Sequence, residues 1–261
     1  MVLFDSHCHL TDAAFAEDLE DVLRRAREAG VTGVVSIASD LDDAMAAQRL
    51  ASAHEEAWCT AGIHPHVAVE AKGDQRGRLR DLLGASRVVA LGEAGLDYHY
   101  DNSPRDVQRR VFGMQLEIAG EVGLPVVVHS RDADDDMAAM IREYQGTVTG
   151  VLHCFTGRTR LLDIGLEADW YISFSGLITF RNYADAGLLR AVPEERLLLE
   201  TDSPYLAPVP MRSKRNEPSF LPHTCTVAAQ IRGAEPEALA AFTTRNARAF
   251  YGIGEPARSS A

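Results

Sequence analysis

Eight short runs rich in aliphatic and β-branched residues alternate with longer helical stretches along almost all of this 261-residue chain. That alternation restricts the fold to a (β/α)8 barrel or a doubly wound open sheet. The strand-like runs are expected at 2–9, 31–38, 57–63, 87–93, 124–129, 147–153, 170–175 and 196–202. Helices are expected at 13–29, ended by Gly30, at 41–53 and around 79–83. Another should run to 122 with Pro104 in its first turn, and others at 134–144, 158–167 and 183–190. A Pro-rich loop at 203–222 then precedes helical stretches beginning at His223 and Pro236. No G-x-G-x-x-G follows an early strand, which weakens the dinucleotide-binding open sheet. No repeat, low-complexity tract or linker divides the chain, and roughly 250 residues suffice for one barrel. The expectation is therefore an α/β protein, a single (β/α)8 TIM-barrel domain over 1–261.

Composition narrows the function. With 46% hydrophobic and 25% charged residues, the chain falls outside the disordered, collagen-like and coiled-coil classes. Its formal net charge of −12 argues against a protein that coats long duplexes through phosphate contacts. An enzyme that grips a few nucleotides stays open. The N-terminal MVLFDSHCHL has no basic stretch of a secretory signal, and no apolar run approaches the ~20 residues of a membrane span. Cys8, Cys59, Cys154 and Cys225 are scattered without a C-x-x-C pair, so neither a zinc knuckle nor a disulfide framework is expected. These features point to a soluble, cytoplasmic protein with reduced thiols, no membrane association and no evident obligate protein partner.

Chemistry is concentrated at strand ends. His7 and His9 close the first run, Glu93 the fourth, His129 the fifth, His153 the sixth and Asp202 the eighth. In a barrel those ends share the face where active sites sit. His7 and His9, two apart on a strand, point the same way, and Cys8 points to the other side. One histidine alone is more often a core or surface residue; four with two carboxylates, all at strand ends, suit divalent transition metals. Six ligands exceed the needs of one catalytic zinc with an open position, so two cations are expected. Their identity stays open among Zn, Mn, Mg, Ni and Fe. Only Lys72 and Lys214 are present, and neither closes a strand. A Schiff-base aldolase lacks its amine and a carboxylated-lysine bridge lacks its lysine, which leaves Glu93 as the bridging group.

An ordered series of motifs carries a family resemblance: DSHCHL (5–10), GIHPH (62–66), GEAGLDYHY (92–100), PVVVHSRDA (125–133), HCFTG (153–157), ETDSPYLAPVP (200–210), RSKRNEP (212–218) and TTRNARAF (243–250). The chain resembles the TatD family of metal-dependent deoxyribonucleases, within the metallo-hydrolase barrels. The resemblance implies that His7, His9 and Asp202 hold one metal, while Glu93 bridges to a second held by His129 and His153. Met211 and Ser213 stand where the family more often has histidine and glycine, and His99 replaces a common aromatic. These departures bear on substrate preference.

The expected activity is a divalent-metal-dependent deoxyribonuclease that trims the ends of single-stranded or frayed DNA. A hydroxide between the metals would attack phosphorus, with Asp202 accepting the proton and Glu93 the other catalytic carboxylate. Arg212, Lys214, Arg215 and Asn216 form a basic loop after Asp202, read either as a solvated run or as phosphate contacts. Arg131 has a similar claim on phosphate. Tyr205 and Phe155 could stack bases, although aromatics are more often core. His64 could reach substrate or cap a loop; His66, His54 and His223 read as surface or loop residues. Asp5 and Glu200 share strand faces with the ligands and could orient an imidazole or form core ion pairs. Other readings are a metallo-hydrolase of an ester or amide bond, such as D-aminoacyl-tRNA deacylation or a small cyclic amide, and a non-enzymatic scaffold.

Overall fold

The computed structural model describes residues 1–254. Strands β1 (Leu3–Cys8), β2 (Val31–Ser36), β3 (Ala57–Ala61), β4 (Val88–Asp97), β5 (Val126–Arg131), β6 (Gly150–Leu152), β7 (Tyr171–Phe174) and β8 (Leu197–Leu199) form one sheet. They pair in sequence order, and every pair is parallel. Helices α1 (Leu19–Glu28), α2 (Leu41–Ala53), α3 (Gln75–Leu83), α4 (Arg105–Val122), α5 (Asp134–Glu143), α6 (Thr159–Glu167), α7 (Ala186–Ala191), α8 (Leu221–Arg232) and α9 (Pro236–Phe250) flank it. This is the expected α/β arrangement, a nearly closed (β/α)8 barrel. The expectation of one domain reaching 261 extends, at 255–261, beyond the described residues. Among the described residues no helix is long and apolar enough to cross a membrane.

Alternation builds two cores. Val126 and Val128 join the large cluster under the helices, and Val127 joins a second cluster with Phe4, Val35, Ile37, Val151 and Leu198. Leu197 and Leu199 divide from Leu198 in the same way. Strands buried on both faces read as continuous apolar runs, and each such side chain contributes about 1.5–3 kcal/mol on burial. Ala247, Phe250 and Tyr251 from the end of α9 pack into the second cluster, with Tyr251 donating to Ser6 O at 2.7 Å.

The seam between first and last strands is joined at the C-terminal ends of the strands. Ser6 Oγ donates to Leu199 O at 2.9 Å, Asp202 N to His7 O at 2.9 Å and His9 N to Ser203 O at 2.7 Å. The backbone carrying Asp202 is thus stitched to the backbone carrying two histidines.

Element limits differ from expectation where side chains cap or neighbours run out. The stretch expected as one helix from 13 to 29 divides into a 3-10 turn, Ala13–Phe15, and α1. Asp12 caps that turn by accepting from Ala14 N. Pro104 is the extended cap before α4 and not part of its first turn. Strand β8 stops at Leu199, three residues before Asp202, whereas β4 continues past Glu93 to Asp97. Glu93 therefore lies inside its strand and does not close it.

Candidate metal centre

Local backbone devices bring Glu93 to the barrel axis. The β4–β5 register shifts between Leu91 and Ala94, so β4 bulges at Glu93, whose N–H donates to Ala38 O at 2.9 Å. Glycines allow the neighbouring strands to come this close. A Cβ at Gly62 would lie 2.5 Å from Gly92 Cα, and one at Gly95 (φ +139°) would lie 2.0 Å from His129 O. Asp202 itself takes a left-handed φ of 57° as the chain turns away from β8.

The two carboxylate oxygens of Glu93 face separate groups of donors. Oε2 stands 3.5 Å from His7 Nε2 and 3.8 Å from His9 Nε2. Asp202 Oδ1 stands 3.6 and 3.5 Å from the same two nitrogens, which are 3.2 Å apart. Oε1 stands 3.0 Å from His129 Nδ1 and 2.9 Å from His153 Nε2, themselves 3.4 Å apart. Ligands about 2.0–2.1 Å from a tetrahedral cation are roughly 3.3–3.4 Å from one another, so both groups have the spacing of a coordination shell.

Three of the four outer ring nitrogens support the same reading, while His7 Nδ1 is buried without a partner among the described residues. His9 Nδ1 lies 3.1 Å from Ile37 O, His153 Nδ1 3.2 Å from Glu200 Oε1 and His129 Nε2 2.9 Å from Asp97 Oδ2. Each acceptor holds a ring proton on the far side and leaves a lone pair facing Glu93, the arrangement a metal ligand needs. His7 stacks on His153 with centroids 3.9 Å apart. His64 differs: its Nδ1 accepts from His66 N at 3.1 Å, so in the neutral ring Nε2 carries the proton and points at Glu93 Oε1, 3.4 Å away. It is a donor in this arrangement.

Without a cation, protons balance the buried carboxylates. Burial opposes ionisation of Glu93, but His153, His64 and His129 outweigh it and hold the carboxyl well below its usual range. Burial likewise opposes ionisation of Asp202, and its bond to His9 with the nearby His7 and His153 brings it below the usual value. Burial lowers the affinity of His9 for a proton, yet Asp202 and Glu93 raise it to about 9. For His153, burial is outweighed by Glu93 and Glu200; for His129, by Asp97 and Glu93, and both rings are raised. Burial and the charge on His153 lower His7, and burial lowers His64 to about 4. A cation must displace the protons on raised rings. Uptake at pH 7 should therefore release protons, and affinity should climb as pH rises toward 9, where His9 loses its proton. Calorimetry in buffers of different ionisation enthalpy measures both quantities; affinity independent of pH from about 6 to 9 would contradict this.

A cavity of about 980 Å³ opens above the centre, and His64, Arg131 and Tyr205 line it, along with Asp202. The Arg131 guanidinium lies over Tyr100 at 4.9 Å. Tyr205 is half exposed and donates to Asp12 Oδ2 at 3.2 Å. The residues of the basic loop have partners within the protein. Arg215 makes two 2.8 Å bonds to Asp18 and covers Phe15 at 4.6 Å, and Asn216 is buried. The Asn216 amide donates to Thr201 O at 2.8 Å and Tyr205 O at 2.5 Å, bracing the turn after β8. Arg212 stacks on Phe180 at 3.7 Å, and neither it nor Lys214 lines the cavity.

Phe155 is core, edge-on to Phe174. Glu200 pairs with His153, whereas Asp5 accepts from Thr201 N at 2.9 Å and Thr201 Oγ1 at 2.6 Å and touches no ligand imidazole. His66 and Asp97 were missed as site residues: both line the cavity and bond to each other at 2.9 Å. The available signals were the second histidine of GIHPH and the alternation that puts Asp97 on the face of Glu93.

A parallel eight-stranded barrel with imidazoles gathered round a shared carboxylate at its mouth defines a metal-dependent hydrolase of the metallo-dependent hydrolase barrels. The family model described as TatD related DNase matches residues 4–252, and the chain belongs to the TatD family. It is 40% identical over 257 residues to the 3'-5' ssDNA/RNA exonuclease TatD of Erwinia billingiae, covering 95% of this chain and 98% of that one. It is 35% identical to the uncharacterized metal-dependent hydrolase YabD of Bacillus subtilis, covering 97% and 100%. The solved structure of YJJV, a TatD homolog from Escherichia coli K12, superposes with a TM-score of 0.90 at 26% identity, covering 97% and 98%.

Proposed function

We propose that this protein is a two-metal nuclease that trims single-stranded or frayed DNA ends by hydrolysing phosphodiester bonds. One observation carries the reading: each oxygen of Glu93 faces its own donor group beneath one open cavity. His7, His9 and Asp202 would hold one divalent cation and His129 and His153 the other, with Glu93 offering an oxygen to each group. When bound, divalent cations there would supply Lewis-acid polarisation of a phosphoryl oxygen and would lower the pKa of a water from 15.7 to about 7. Asp202, at the cavity floor, takes the proton of the attacking water. Arg131 binds a phosphate in two-point fashion, His64 donates from Nε2 and Tyr205 stacks a base. Arg212 and Lys214 meet phosphates further along the strand. A cytoplasmic setting, consistent with four free cysteines, belongs to the same proposal.

The names of relatives such as the Erwinia billingiae exonuclease support this substrate class. A second reading has one observation in its favour. Asp12, Asp40 and Asp43 line the same cavity and suit a substrate amine, as in an aminoacyl ester. A panel decides: end-labelled single- and double-stranded DNA, RNA and aminoacyl-tRNA, each with Mg, Mn or Zn, beside Glu93→Ala. Shortening of single strands from one end, absent in the variant, is expected; cleavage of the ester alone would overturn the nuclease assignment.

Few cavity cations mean few phosphate contacts. Affinity for single strands should fall with salt at a log–log slope of about −2, three contacts at about −0.7 each. Fluorescence anisotropy over a salt series measures it, and a slope steeper than about −4 would require an extended basic groove.

A further inference from the structure

We infer that Asp97 is a positioning residue that fixes the tautomer of two imidazoles through one carboxylate oxygen. It turns the Nδ1 of His129 toward Glu93 and presents the Nδ1 of His66 to the substrate. The inference rests on the proposed metal centre.

Asp97 ends β4 with no exposed surface. Its backbone is clamped by Gln108, which accepts from Asp97 N at 2.8 Å and donates to Asp97 O at 3.0 Å. Oδ1 accepts from His99 N at 3.0 Å and Tyr100 N at 2.9 Å, which sets the carboxylate plane. Oδ2 is left with two ring nitrogens, His66 Nε2 and His129 Nε2, each at 2.9 Å. An ionised carboxylate only accepts, so both Nε2 atoms carry hydrogen.

The consequence differs for the two rings. His129 has its Nδ1 3.0 Å from Glu93 Oε1, within the second donor group, and a proton fixed on Nε2 keeps that lone pair free. His66 has no described partner for Nδ1, lines the cavity and is held edge-on by His64 at 4.4 Å and Tyr100 at 5.4 Å. A ring held so firmly with one open nitrogen is arranged to meet a hydrogen-bonding group of the substrate. One oxygen thus keeps the metal ligand and the substrate contact in register.

Asp97→Asn separates this role from a structural one. Asparagine Oδ1 can still accept from the two backbone N–H groups, while its NH2 replaces the shared acceptor. Both rings must then turn an unprotonated Nε2 to it and carry their proton on Nδ1, which blocks His129 as a ligand. Zinc affinity, read by competition with a chromophoric chelator, should fall about 10–100-fold. The Tm of the metal-free variant should stay within about 5 °C of the parent. His66→Ala should keep zinc affinity and raise KM about 3–10-fold with kcat within about threefold, as expected for one lost hydrogen bond. In the zinc-loaded parent, histidine 15N NMR should find hydrogen on Nε2 of both rings, a readout independent of how the variants fold.

Unchanged zinc affinity in Asp97→Asn, or a lowered Tm as its sole effect, would overturn the inference. So would hydrogen on Nδ1 alone of either ring. Zinc binding and tautomers are read without substrate, so failure of the nuclease reading would leave these results in place. A parent that bound no zinc would instead remove the metal centre and this inference together.

Discussion

Glu93→Gln is expected to cut kcat/KM by about 10³-fold or more and to strip metal from the purified protein. The amide keeps the shape of the side chain but loses the charge and one of the two oxygens that face separate donor groups. Two cations would then be held with Asp202 as the remaining anion of the proposed ligand set. Loss of about 4 kcal/mol of transition-state stabilisation, ordinary for an electrostatic group in a metal site, corresponds to roughly 10³-fold in rate. Unfolding is not expected: in Glu93→Gln, Glu200 still faces His153 and Asp97 still faces His129, so a proton kept by either ring retains a carboxylate partner. Metal content by mass spectrometry, circular dichroism and steady-state rates together test this. Parent-like rates with full metal content would contradict it.

Asp202→Asn is expected to lower kcat by about 10²–10⁴-fold, the range for removal of a general base, while cation binding at Glu93, His129 and His153 persists. Its Oδ1 stands 3.6 and 3.5 Å from His7 and His9, so binding on that side weakens as well. Single-turnover rates at saturating metal separate the two effects. A variant restored to the parent rate by excess metal would have lost a ligand and no base.

Strand periodicity made the barrel legible, because the strands are largely buried on both faces and helices intervene between them. It also brought forward six side chains whose donor atoms converge in the structure: His7, His9, Glu93, His129, His153 and Asp202. Alternation failed where the backbone departs from regular pleating. The bulge in β4 puts Glu93 in mid-strand and carries the strand on to Asp97, and no local pattern marks a register shift made against β5. The surroundings of the basic loop were illegible for another reason. Arg215 has its counter-charge in Asp18, nearly 200 positions earlier, and Arg212 has its aromatic partner in Phe180. Charge runs show composition in sequence; their neutralisation is a tertiary fact. His64 and His66 look alike in GIHPH, and only the hydrogen bond from His66 N to His64 Nδ1 and the Asp97 bond to His66 divide their roles.

Anomalous diffraction from crystals soaked in zinc or manganese tests the shared-carboxylate centre most directly. The expected map has two peaks, one among Glu93 Oε2, His7, His9 and Asp202, the other among Glu93 Oε1, His129 and His153. A single peak, or peaks that leave Glu93 uncoordinated, would contradict it.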